Sequence, residues 1–91
     1  MDFVAIDFET ANEYRDSACA IGLTRVRSGA VEETTYHLIR PAELRFADMN
    51  TYIHGITADM VADCPTLRDL WPELQGFIED SLLVAHNINR N

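Results

Sequence analysis

The stretch Val4-Ala5-Ile6-Asp7-Phe8-Glu9-Thr10, close to the start of the chain, decides what the rest can form. Its apolar residues alternate, which is the period of two expected for a β-strand with one buried face. On the other face, Asp7 and Glu9 lie two positions apart, so both carboxylates leave the strand on the same side. Two carboxylates held that close repel each other and lose hydration. The spacing fits a hard divalent cation, and equally a frayed strand end with both acids in water.

Length and charge limit the classes of protein. Ninety-one residues, of which 47% are hydrophobic, suit one small domain with a modest core. The formal net charge is −8 and all seven basic residues are arginines. Such a chain repels phosphate backbones, so we expect non-specific binding to nucleic acid only with a cation or a basic partner.

Cysteines and apolar runs indicate the compartment. Cys19 and Cys64 lie far apart without the paired spacing of a zinc site, and the three histidines are scattered. No apolar run approaches the ~20 residues of a membrane-spanning helix. We therefore expect a cytoplasmic protein with reduced thiols and no membrane contact.

The first half of the chain predicts three strands. Residues 3–9 alternate as described, residues 18–27 are apolar and then alternating, and residues 31–39 alternate until Arg40-Pro41. Ser28-Gly29 reads as a hairpin turn. Strands joined by such short links predict an antiparallel meander.

The second half predicts mostly helix. Residues 44–50 are weakly patterned and are predicted as loop with one helical turn, and a short helix is expected from Thr57 to about residue 63. Thr66 and the acid three residues later form a capping pair for the clearest helix. Its apolar stripe, predicted to pack in the core, consists of Leu67, Leu70, Trp71, Leu74, Phe77 and Ile78. Pro72 lies inside this stripe and is expected to kink the helix or delay its start.

The apolar run at residues 82–85 predicts a last, buried strand. It follows a helical crossover, so it should run parallel to the strand it joins. The order βββαβ gives an α/β fold, a mixed sheet with a helix on one face.

Three motifs together resemble the DEDD exonuclease superfamily. They are Ile6-Asp7-Phe8-Glu9-Thr10, Ile53-His54-Gly55-Ile56-Thr57 and Leu83-Val84-Ala85-His86-Asn87, in that order. More narrowly they resemble the DEDDh branch, which includes the proofreading ε subunit of bacterial DNA polymerase III and ribonuclease T. The resemblance implies a ribonuclease H-like fold. Residues 1–91 would then be the N-terminal part of a single exonuclease domain, truncated before the final strand and two helices.

The resemblance also implies an activity and a set of site residues. Family members remove nucleotides from the 3′ end of DNA or RNA by hydrolysis with two Mg²⁺ or Mn²⁺ ions. Asp7 and Glu9 would be the catalytic metal ligands, with Asp7 touching both ions. Residues 7–10, Phe8 and Thr10 included, would line the pocket for the terminal nucleotide. His54 would sit beside that nucleotide with Ile53 packing nearby, whereas the plainer alternative for His54 is a histidine hydrogen-bonded to backbone.

The chain also departs from the family pattern. Asn91 stands where the family has a metal-binding aspartate, and the later motif that supplies a general-base histidine and a fourth carboxylate does not occur. We therefore expect an incomplete exonuclease, inactive alone, whose parent can bind a DNA polymerase subunit. The alternative is a non-catalytic module that either binds a partner or forms a homo-oligomer through uncovered apolar surface.

Overall fold

A computed structural model describes residues 1–86 of the chain. The strands and helices in this range are, in chain order, β1 (Phe3–Thr10), β2 (Ala18–Arg27), β3 (Ala30–Leu38), α1 (Asp48–His54), α2 (Ala58–Val61), α3 (Leu67–Ile78) and β4 (Leu83–His86). They form a sheet of order β3-β2-β1-β4, in which β4 pairs parallel to β1 and the other neighbours pair antiparallel. The predicted mixed α/β sheet is confirmed.

The β2–β3 hairpin closes at Ser28-Gly29, as expected from the sequence. Both residues have positive φ, 53° and 78°. A two-residue turn of this kind needs positive φ at both positions because its twist then matches that of the strands. Gly29 adopts the conformation without strain, since it has no Cβ.

The main core lies between α3 and one face of the sheet. Every second residue of β1 and β2 points to this face, and every third or fourth residue of α3 meets it. The buried residues of this cluster are Val4, Ile21, Leu23, Ile39, Leu70, Leu74 and Ile78. A second, smaller cluster joins the ends of the strands to the segment of α1 and α2, and consists of Ala11, Cys19, Ala20, Ile56 and Val61.

Helix α3 begins as predicted but differs in two respects. The capping box of Thr66 and Asp69 is formed, and the helix runs from Leu67 to Ile78 with Pro72 inside it. Of the two effects expected from Pro72, the delayed start is therefore wrong and the kink stays a prediction. Trp71 is 45% exposed, so its assignment to the core is also wrong. The residue just before it already faces the sheet, and a step of 100° around the helix turns Trp71 towards solvent.

Two further expectations need correction. Helix α1 occupies residues 48–54, of which only 48–50 fell in the stretch predicted as loop with one helical turn and the others were not predicted as helix, whereas the short helix after Thr57 is confirmed as α2. β4 is parallel to β1 as predicted, but it is not buried: Leu83 and Val84 are 46% and 42% exposed. The reason is that β4 lies at the edge of the sheet, which local composition does not reveal.

No helix within residues 1–86 has the length and apolar character needed to cross a membrane. The predictions about Asn87 and Asn91 lie outside the described residues.

Candidate active site

Asp7 and Glu9 lie on the face of the sheet opposite α3. Their alternation with the core residues of β1 requires this, and both line one shallow cavity of about 560 Å³. The two side chains are partly buried rather than spread to different surfaces. None of the ion pairs found within residues 1–86 involves Glu9. The acid pair thus opens to a common space, as the sequence predicted.

Gly22 and Tyr36 complete the row that crosses the sheet from Asp7. Asp7 pairs with Gly22 on β2, and Gly22 pairs with Tyr36 on β3. A Cβ atom at Gly22 would lie 3.6 Å from Cδ1 of Tyr36, so the aromatic ring covers the space that the glycine leaves. Desolvation raises the pKa of the Tyr36 phenol, and the charges of Glu9, Cys19 and Asp7 raise it further. Sequence reasoning missed Tyr36 because only the register of the sheet brings it to the acids.

The donor set fits a hard divalent cation. Within the described residues, no group of three or more His, Cys, Asp or Glu side chains could hold a metal ion. Asp7 and Glu9 would give such an ion two carboxylates, and the remaining ligands would be water and phosphate oxygens. Mg²⁺ is commonly bound in proteins through one or two carboxylates together with substrate phosphates.

The chain leaves β1 through a segment that α1 holds by hydrogen bonds. Beyond Glu9 the β1–β2 register shifts, and three successive carbonyl oxygens of residues 10–12 accept bonds from the α1 segment. The first accepts from Nε2 of His54 at 2.9 Å and from Nδ2 of Asn50 at 3.0 Å. The second accepts from the backbone N–H of Ala47 at 2.9 Å, and the third from Nδ2 of Asn50 at 3.4 Å. We call this set of bonds the β1 clamp.

One bond of the clamp and a bond from Ile56 define the tautomer of the neutral His54 ring. The backbone N–H of Ile56 donates to Nδ1 of His54 at 3.0 Å, so Nδ1 carries no proton. The ring proton is then on Nε2, which donates to the carbonyl of Thr10. Both nitrogens are bonded to backbone, as the plainer sequence interpretation of His54 has it. Because both nitrogens are engaged, the ring presents only its carbon edge and its face to a neighbouring ligand, and it cannot accept a proton from that ligand.

A larger groove of about 1040 Å³ runs around the end of β1. All six residues selected from the sequence line it, and they are Asp7, Phe8, Glu9, Thr10, Ile53 and His54. Ile53 is 70% exposed, so its apolar surface is open to a ligand. Asn50 also lines the groove and was missed. Its position four residues before His54, on the same side of a helix, was the available signal.

Cys19 lies beside the acid pair without being reactive. Its side chain is fully buried, and Sγ lies 3.9 Å from Nε2 of His54. Burial, together with the charge of Glu9, raises the pKa of the thiol to about 11 from an ordinary value of 9.0. Because the thiolate is the nucleophilic form, Cys19 is a packing residue here.

Comparison with known proteins gives matches over nearly the whole chain. The exonuclease family RNase_T matches residues 4–90. PolC-type DNA polymerase III of Thermotoga maritima is 34% identical over 89 residues, which cover 96% of this chain and 6% of that protein. The 3′-5′ exonuclease DinG of Staphylococcus epidermidis is 28% identical over 89 residues, which cover 96% of this chain and 10% of that protein.

Solved structures show the same fold. Exonuclease X in complex with 5′-overhanging duplex DNA has a TM-score of 0.79 at 30% identity, covering 93% of this chain and 48% of that chain. A full-length 3′-exonuclease has a TM-score of 0.73 at 19% identity, with 92% and 45% covered. The chain thus spans about half the length of these enzymes. With a family match over residues 4–90 and a ribonuclease H-like sheet, this chain belongs to the exonuclease family.

Proposed function

We propose that this chain carries the acid pair and the nucleotide pocket of a DEDDh-type 3′-5′ exonuclease. One observation carries the proposal: six residues chosen from two separate motifs line a single groove. The substrate class is the 3′ end of a DNA or RNA strand. Exonuclease X, a structural relative, was solved with duplex DNA, which supports nucleic acid as the ligand.

The residues of the groove have different roles in this proposal. Asp7 and Glu9 bind Mg²⁺ or Mn²⁺, and those ions supply charge neutralisation and activation of water in phosphodiester hydrolysis. Phe8 and Ile53 offer apolar surface to the base of the terminal nucleotide, because both are exposed in the groove. His54 cannot act as a base while both ring nitrogens are bonded to backbone, so its role is to hold the end of β1 and to border the pocket.

The described residues do not supply the family's whole catalytic set. Asp7 and Glu9 give two carboxylates, and further carboxylates and a general base would come from segments that are not among residues 1–86. We therefore expect negligible hydrolysis by residues 1–91 alone. The match to PolC-type polymerases makes a DNA polymerase subunit the natural candidate for a partner of the whole protein.

Calorimetric titration tests the proposal. We expect Mn²⁺ to bind the unchanged chain, and thymidine 5′-monophosphate to bind only when Mn²⁺ is present. Asp7→Asn and Glu9→Gln should each weaken Mn²⁺ binding at least about tenfold. Glu32→Gln is the matched control, because Glu32 lies on the far hairpin and pairs with Arg27. Equal Mn²⁺ affinity in the double variant and the unchanged chain would overturn the proposal.

A hydrolysis assay tests the expected inactivity separately. The purified chain would be incubated with a 3′-labelled oligonucleotide. Release of mononucleotides that Asp7→Ala abolishes would show that two carboxylates suffice for hydrolysis. No release, together with Mn²⁺ binding, is the expected result.

A second candidate function is self-association. The observation that favours it is a run of half-exposed apolar residues at the start of the edge strand β4 and just before it, namely Leu82, Leu83 and Val84. Exposed apolar edges promote pairing between chains. Sedimentation should then show a dimer that Val84→Lys dissociates, whereas a monomer at all concentrations would reject this candidate.

A further inference from the structure

The groove extends beyond the six site residues, and its extension is basic. We propose that this extension binds the phosphodiester backbone of a single nucleic-acid strand through Arg15, Arg40 and Arg68, so that the strand is held upstream of its terminal nucleotide. The inference rests on the proposed function and adds to it a binding track that the motifs do not contain. We call these residues the groove arginines.

The groove arginines come from three separate segments. Arg15 belongs to the link between β1 and β2, Arg40 follows β3, and Arg68 lies in the first turn of α3. All three line the same groove as the acid pair. The fold therefore gathers at the end of the sheet cations that are widely spaced in the sequence.

The six arginines of residues 1–86 divide into two sets. Those outside the groove are paired with acids: Arg25 with Glu33 at 2.9 Å, and Arg27 with Glu32 at 2.9 Å. Arg45 likewise pairs with Glu13, at 3.0 Å.

The groove arginines, in contrast, form no ion pair within the described part of the chain. The side chains of Arg15 and Arg68 are exposed and make no hydrogen bond there. Nε of Arg40 donates to the carbonyl of Cys64 at 3.2 Å, which fixes the side chain and leaves its two terminal nitrogens for a ligand.

The charged side chains that line the extension of the groove carry a net positive charge once the engaged acids are set aside. Asp7 and Glu9 belong to the cation site, and Glu13 is engaged by Arg45. Asp16 is the remaining acid that lines the groove. Three arginines thus face one carboxylate in a chain whose net charge is −8. Net charge alone predicts repulsion of a phosphate backbone, and the local arrangement reverses that at one place.

Single-stranded nucleic acid fits this arrangement. Guanidinium groups bind phosphates with two parallel hydrogen bonds, and a row of them follows a backbone rather than a single anion. The capping box of Thr66 and Asp69 occupies two of the donors at the N-terminus of α3, so we assign the phosphate contacts to the arginine side chains. The nucleotide pocket and the arginines line the same groove, so we place the next phosphates of a strand whose 3′ end lies in the pocket beside the arginines.

The salt dependence of oligonucleotide binding tests the proposal. Fluorescence anisotropy would follow a short labelled oligothymidylate bound to the whole chain with Ca²⁺. Removing one phosphate contact from a single strand should lower the slope of log K against log salt by about 0.7. We expect Arg15→Ala and Arg68→Ala each to lower the slope by that amount and to weaken binding about threefold to tenfold at moderate salt.

Matched variants separate a phosphate track from a general loss of charge. Arg27→Ala removes an exposed arginine outside the groove and should leave affinity and slope unchanged. Arg68→Lys should restore the slope, because it restores the charge. Unchanged slopes in Arg15→Ala and Arg68→Ala, or an equal loss in Arg27→Ala, would overturn the proposal. Competition by inorganic phosphate as effective as competition by unlabelled oligonucleotide would also overturn it, since it would indicate an anion site without a track.

Binding of thymidine 5′-monophosphate with Mn²⁺ distinguishes this proposal from the proposed function. The groove variants should bind the mononucleotide like the unchanged chain. Mononucleotide binding with unchanged salt slopes would reject the track and keep the exonuclease pocket. Absence of oligonucleotide and mononucleotide binding in the unchanged chain would reject both.

Discussion

The two faces of the sheet differ in what they do, although the same strands build both. On the face towards α3, Val4 and Leu23 are completely buried among other apolar side chains. On the opposite face, Asp7, Gly22 and Tyr36 form a row across the sheet, and Glu9 lines the same open cavity as Asp7. Alternate residues of β1 therefore differ in their surroundings: one set packs in the core and the other lines the open cavity. Substitutions on the two faces should separate stability from binding.

The largest expected effect is on the α3 face. Leu74 is 1% exposed and lies in the centre of the main cluster. Leu74→Ala should lower the free energy of unfolding by about 3 kcal/mol, because it removes buried contacts and leaves a cavity. Urea unfolding measures this. Leu44→Ala, at an exposed loop leucine, is the control, and a loss below about 1 kcal/mol for Leu74→Ala would contradict the assignment of the core.

The next largest effect concerns Cys19 and the dependence of stability on pH. The pKa of Cys19 is raised to about 11, so the folded state holds the thiol proton more strongly than the unfolded state does. Its contribution to stability is complete below about pH 9 and is lost as the pH rises to about 11. The loss amounts to about 2 to 3 kcal/mol. The free energy of unfolding, measured across this range, should depend less on pH in Cys19→Ala than in the unchanged chain.

Breaking the β1 clamp should lower both the free energy of unfolding and the affinity for Mn²⁺, with an effect on stability between those of the two faces. Asn50→Asp keeps the shape of the side chain and removes both of its donors, so the carbonyls of residues 10 and 12 each lose a partner. We expect a loss of about 1 kcal/mol in unfolding free energy. Mn²⁺ affinity should also fall about tenfold, because the clamp holds the end of the strand that bears Glu9.

Met49→Ala provides the matched control for the clamp, since Met49 lies on the same helix and is exposed. It should leave Mn²⁺ affinity unchanged. If Asn50→Asp lowers stability but not Mn²⁺ affinity, the clamp holds the fold alone and has no part in orienting the acid.

The smallest change in stability is expected on the open face. Glu9→Gln removes one of two neighbouring charges and no buried contact. The free energy of unfolding should change by less than about 0.5 kcal/mol, with a slight gain if the two acids repel each other in the absence of a cation. Thermal unfolding without metal measures this. A loss above about 1 kcal/mol would mean that the carboxylate is structural.

Most of the sheet and α3 could be predicted because their signals are local. Alternation in β1 and the capping pair at Thr66 need no information from elsewhere in the chain. Helix α1 could not be predicted in this way because it has no buried residue of its own. It is held by hydrogen bonds between Asn50, His54 and the end of β1, which is a tertiary effect.

The candidate site shows the same division. Asp7 and Glu9 follow from their spacing on a strand, and His54 follows from a family motif. The position of Tyr36 depends on the register in which β1, β2 and β3 pair, and the sequence alone does not give that register. The division between arginines that pair with acids and arginines that form no ion pair within residues 1–86 likewise exists only once the chain is folded.

The neighbourhood of Tyr36 gives the protein an optical signal of its own. The phenol ionises late partly because it senses the negative charges of Glu9 and Asp7. A cation that settles between those acids cancels that influence, so the phenolate absorbance should appear at lower pH when Ca²⁺ is added. Subtracting the titration of Tyr36→Phe would isolate the absorbance of this one ring. The ultraviolet absorbance of Tyr36 would then report cation binding at the two acids without any label.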